Sequence, residues 1–109
     1  MPPIEDDPRP IEWVSREIIQ RFFNENQYAE KALIGEFTTR MKRNSHCKPP
    51  PEGEPSCTHS QIEYYYDQSG EPVAIVHQYR RPDGSLAGSG KPDPKRIFLP
   101  DRIISLKVG

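Results

Sequence analysis

Cysteine, tryptophan, methionine and long apolar runs are all scarce in this chain, which has 2 cysteines, 1 tryptophan and 2 methionines among 109 residues, with 33% of the residues hydrophobic. Two cysteines exclude a small scaffold stapled by several disulfides. No apolar run approaches the roughly 20 residues that a membrane-spanning helix requires. The opening MPPIEDDPRP has neither the basic start nor the apolar centre of a secretory signal. An intracellular, cytoplasmic protein without membrane contact is the expectation. An excess of one charge is also missing: the formal net charge is −1. That argues against a protein cationic over its whole surface, so any binding of nucleic acid or another anion must be local. Leu, Ile, Val and Phe together make up 22 of 109 residues, which limits the chain to a modest core.

Proline is abundant, with 13 residues, and its placement divides the chain. Residues 1–10 are rich in proline and acid, and read as a flexible lead-in to a single small domain over residues 11–109. Asp7 is suited to cap a helix whose first turn accommodates Pro8 and Pro10. Ile11, Val14, Ile18 and Phe22 recur at helical spacing, with Trp13, Ile19 and Phe23 widening the stripe, so a helix to about Asn24 is predicted. From Gln27 to Met41 the signals conflict. Ala29, Leu33, Phe37 and Met41 fit a helix, whereas Gly35 interrupts it and Phe37-Thr38-Thr39 favours extended chain. A short helix to Ile34 and a strand over about Glu36 to Lys42 follow. An exposed proline-rich loop is expected over residues 45–60, because four prolines and a glycine between Pro49 and Pro55 forbid a regular element.

Residues 62–67 and 72–80 read as a hairpin turning through Gln68-Ser69-Gly70-Glu71, and a last strand runs from Ile103 to Val108. A two-residue turn would place Ile62, Tyr64 and Tyr66 on one face with Val73, Ile75, His77 and Tyr79. A bulged turn would shift that register by one residue. The predicted fold is therefore α+β: an N-terminal helix on a mostly antiparallel sheet of three to four strands, with a long loop rich in glycine and proline.

The residues with the most chemistry lie between His77 and Arg96. The segment GSGK at residues 88–91 resembles a nucleotide loop and fails as one. Ser85 stands where the first glycine is needed, and Pro92 replaces the Ser or Thr that should follow Lys91. The loop over residues 80–96 instead collects Arg80, Arg81, Lys91, Lys95 and Arg96 against Asp83 and Asp93, with Tyr79 beside them as a stacking group. A binding or accessory module is the leading expectation, engaging an acidic protein surface first and RNA or single-stranded nucleic acid second. The alternative is a small metal-independent ribonuclease in which His77 is the general base and the same cations hold the phosphate. A structural component of a larger assembly is the third. His46, Cys47, Cys57 and His59 have the residue types of a zinc site without its usual spacing, and are otherwise free thiols or a Cys47–Cys57 disulfide. Apart from zinc, no cofactor is expected.

Overall fold

The computed structural model of the chain describes residues 7–107. Its elements are β1 (Ile11–Val14), α1 (Arg16–Glu25), α2 (Tyr28–Leu33), β2 (Thr38–His46), β3 (His59–Tyr66), β4 (Pro72–Arg80), β5 (Asp93–Phe98) and β6 (Ile103–Leu106). All six strands form one sheet in the order β1-β6-β5-β4-β3-β2, mixed because β1 runs parallel to β6 while every other pairing is antiparallel. No described helix is long and apolar enough to cross a membrane.

The predicted α+β arrangement is overturned: the sheet has six strands, and helix is confined to segments of 10 and 6 residues. Ile11–Val14, expected as the first turn of the helix, is an edge strand fastened to β6 by Ile103 N–H donating to Pro10 O at 2.9 Å and Lys107 N–H donating to Val14 O at 2.7 Å. Ser15 breaks the stripe. Its hydroxyl accepts from Ile18 N–H at 3.3 Å and caps α1, while Asp7 is occupied by Arg9 instead. Residues 1–6 of the expected lead-in, and Val108 of the last strand, lie outside the described residues.

The two helices cover one face of the sheet. Ile19 and Phe23, four positions apart on α1, are fully buried with Tyr28 of α2 against Val14, Tyr65, Ala74, Val76, Ile97 and Ile104. Phe23 stacks on Tyr28 at 5.4 Å and lies 6.2 Å from Tyr65. Each fully buried side chain of this size contributes about 1.5–3 kcal/mol. Ile18, expected in the stripe, faces solvent.

The hairpin forms. Asp67 N–H donates to Glu71 O at 2.9 Å, and Gly70 takes the positive φ of 87° that the turn requires. Near the turn Tyr66 pairs with Pro72, but a bulge after Tyr65 restores the register further along, so that Tyr64 faces Ile75 and Ile62 faces His77. Two loops are shorter than expected. β2 runs on to His46 and β3 begins at His59, which confines the proline-rich loop to residues 47–58. Residues 93–96, expected in the basic loop, belong to β5.

Candidate functional site

Among the described residues, no helix lies on the second face of the sheet. Side chains paired across neighbouring strands share a face, and one row crosses all six strands: Trp13, Ser105, Arg96, Ile75, Tyr64 and Arg40. The next row places His77 between Asp93 and Ile62, with Arg43 beyond Ile62; Tyr79 follows, opposite Ser60. Ile75, Phe98 and Ile103 form a small apolar base under Ile11, Ile62 and Tyr64. Trp13 and Tyr79 are exposed, at 55% and 37%, and Tyr66 lies 6.5 Å from Tyr64.

Cations border these rings. Lys42 is the extra residue where the β2–β3 register shifts, and its Nζ sits 5.3 Å from the Tyr64 ring centre. Arg40 and Arg43 flank it on the exposed edge strand. None of the ion pairs among the described residues engages Arg40, Lys42 or Arg43. Arg96 donates from Nε to Ser105 Oγ at 3.3 Å. Burial lowers the pKa of its guanidinium, yet an arginine stays charged. Acids on this face are paired: Asp93 lies 3.6 Å from Arg16, and Asp7 is bound to Arg9, which sits over the Phe98 ring.

His77 is half-buried in the same surface. Its Nε2 is 2.8 Å from Ser60 Oγ, and its ring meets Tyr79 edge-on at 4.8 Å. Burial, and then the nearby Lys95 charge, push its pKa below the usual histidine value, against a smaller opposing pull from Asp93. Both effects favour the uncharged ring.

The cations expected to surround one anion are dispersed. Strand alternation turns Arg80 to the helix-covered face, where its Nε donates to Gln61 Oε1 at 3.1 Å and its Nη1 to Gly84 O at 2.7 Å. Arg81 forms an ion pair with Glu54 at 2.7 Å, and Lys91 lies 3.9 Å from Glu30. Lys95 occupies the bulge between the Arg96 and Pro94 pairings. Of the expected binding group, Tyr79 and Arg96 remain on the uncovered face together with His77.

Among the possible zinc ligands, His46 and His59 face each other across β2 and β3, with rings stacked at 5.3 Å and His59 Nδ1 held 2.9 Å from Asn44 Oδ1. Cys47 and Cys57 are free thiols. Among the described residues, no three His, Cys, Asp or Glu side chains converge on a point suited to a metal. The sequence reasoning missed Arg40, Lys42 and Arg43. A basic run directly after Phe37-Thr38-Thr39 is the pattern of an edge strand protected by charge, and was the available signal. Comparison with family profiles, with characterised proteins and with solved structures finds no match to this chain, so the site is read from its own chemistry.

Proposed function

We propose that this protein is a binding module that takes single-stranded nucleic acid across the uncovered face of its sheet. The observation that carries this reading is the meeting, on one face, of Arg40, Lys42, Arg43 and Arg96 with the rings of Trp13, Tyr64, Tyr66 and Tyr79. Cations follow a phosphate backbone, while stacking of one base on an aromatic ring contributes about 1–3 kcal/mol whatever the base. Six strands at about 4.8 Å spacing give a platform about 24 Å wide. An acidic protein surface would also be drawn by these cations, but it would leave the rings without stacking partners.

Fluorescence anisotropy with a labelled oligouridylate tests the reading. Binding to the wild-type protein is expected, with weaker binding by Tyr64→Ala and by the triple variant R40A/K42A/R43A. A duplex of equal length, whose bases are already stacked, is expected to bind less well. Failure of the wild-type protein to bind the single strand at low salt overturns the proposal.

One observation favours a second reading on the same face. His77 is in contact with the Ser60 hydroxyl, its pKa is lowered by burial, and the Lys95 charge is near it, which is the equipment of a base that takes a proton from a ribose hydroxyl. Running the same oligonucleotide on a denaturing gel separates the two readings. Cleavage that disappears in His77→Ala makes the protein a ribonuclease; an intact strand leaves binding alone.

A further inference from the structure

A cavity of about 420 Å³ opens on the opposite side of the sheet from the proposed nucleic-acid surface, between α2 and the strands β2, β3 and β4. That volume falls within the range of small-molecule sites, about 300–1,000 Å³. Its wall is apolar, formed by Ala29, Ala32 and Leu33 of α2 with Leu86 and Pro92 of the β4–β5 connection. Its floor is polar and comes from the inward positions of the central strands: Glu63, Tyr65 and Gln78.

The floor carries a carboxylate and an amide oxygen beside a phenol hydroxyl. Gln78 Nε2 donates to both Gln61 Oε1, at 2.9 Å, and Glu63 Oε1, at 2.6 Å. Because Gln61 Oε1 also accepts from Arg80 Nε and a carboxylate only accepts, the Gln78 amide can be oriented in one way alone. Both of its donors are then used and its oxygen has no partner among the described residues. The Tyr65 hydroxyl has none either, and Glu63 keeps its second oxygen. Gln78 and Tyr65 are 5% and 4% exposed, yet no fully enclosed side-chain polar atom among the described residues lacks a partner. These two groups therefore reach the cavity itself. Burial, helped by the Glu63 charge, pushes the Tyr65 hydroxyl to about 12, so it is a neutral phenol.

Two cations also line the cavity. Arg80 is bonded to Gln61 and to Gly84 O, and Lys91 faces Glu30 at the rim. Glu63 has no ion-pair partner among the described residues, and one of its oxygens and the Gln78 oxygen are left to accept from a ligand. We propose that it binds a small molecule with an apolar body and a protonated amine, the amine directed at Glu63, Gln78 and Tyr65 and the body packed on Ala32, Leu33 and Leu86. The inference is independent of the nucleic-acid reading, since it uses the other face and other residues.

Two probes with similar bodies and opposite charge test it on the full chain: 2-phenylethylamine and 3-phenylpropionate, titrated with observation of backbone amide resonances. The amine is expected to shift residues around Glu63, Tyr65, Gln78 and α2, while the acid leaves them in place. Glu63→Gln is expected to weaken amine binding at least tenfold, because it removes the charge and keeps an acceptor for Gln78. Thr39→Trp, at an exposed strand position lining the cavity, is expected to fill it and abolish binding with no loss of melting temperature. The proposal is overturned if neither probe shifts these residues, if the acid binds as tightly as the amine, or if Glu63→Gln and Thr39→Trp both bind the amine as the wild-type protein does.

Discussion

Replacing Arg40, Lys42 and Arg43 together by alanine distinguishes the sheet face from the loop as the nucleic-acid surface, through the salt dependence of binding. Each phosphate neutralised on a single strand contributes about −0.7 to the slope of log K against log salt. Arg40, Lys42, Arg43 and Arg96 give four such contacts and a slope of about −2.8, a roughly fifty-fold loss of affinity between about 50 and 200 mM salt. The triple variant retains Arg96, so its slope should fall to about −0.7, a loss of only about threefold over the same range. Arg81→Ala and Lys91→Ala are the controls. Their charges already face Glu54 and Glu30, and removing them should leave the slope close to that of the wild type. Anisotropy titrations at five or so salt concentrations measure all of these slopes. An unchanged slope in the triple variant, with a reduced slope in the two controls, refutes the face and returns binding to the loop.

Phe23→Ala empties the centre of the helix-side core, where the ring is fully buried between Tyr28 and Tyr65. Urea denaturation should show a loss of about 3–5 kcal/mol, a large share of the roughly 5–15 kcal/mol available to a domain; a loss below about 1 kcal/mol would mean that α1 does not pack as described. Arg9 holds the Asp7 carboxyl at about 2, against 3.8 for a free side chain. The stability this gives is present above pH 3.8 and lost as pH falls through about 2, so any advantage of the wild-type protein over Asp7→Asn should vanish across that interval in acid melts. His77 should titrate below 6.5 in proton NMR. Its stabilising effect is complete above that pH and lost as pH falls through the folded value, a dependence absent from His77→Gln. Titration at or above 6.5 would show that the ring is not held in the half-buried, Lys95-facing position.

The parts of this fold that were legible in sequence are those decided locally. Alternating residues on both sides of Ser69-Gly70 specified the β3–β4 hairpin, and Ile62 does face His77. The choice between a plain and a bulged turn stayed open in sequence, because the bulge at Tyr66 arises where a three-residue turn meets a register already set by the buried Tyr65 and Ala74. β1 was misread for a related reason. Ile11, Val14, Ile18 and Phe22 keep helical spacing by coincidence, and what makes Ile11–Val14 a strand is β6, more than 85 residues later in the chain. A four-residue strand has no periodicity long enough to compete with the helical pattern around it.

The same dependence on distant partners hid the candidate site. DPKRIF contains a proline and two cations, and reads as loop until β4 and β6 are in place on either side; Pro94 is then accommodated beside the Lys95 bulge, where its missing N–H costs least. Once β5 is a strand, alternation separates residues that a flexible loop would gather. Arg96 goes to the uncovered face, while Arg80, one residue after Tyr79 on β4, goes to the other. Counting cations along the chain therefore measured proximity in sequence, whereas the sheet groups them by parity and register. That is why Arg40 and Arg96, 56 positions apart, lie in one row with Tyr64 between them, while Tyr79 and Arg80 are on opposite sides of the molecule. The near-zero net charge is compatible with this sorting: on the helix side Glu63 and Glu30 line the cavity together with Arg80 and Lys91, whereas the cations of β2, which have no ion-pair partner among the described residues, border the open side. A protein neutral as a whole can thus offer a polyanion one cationic face.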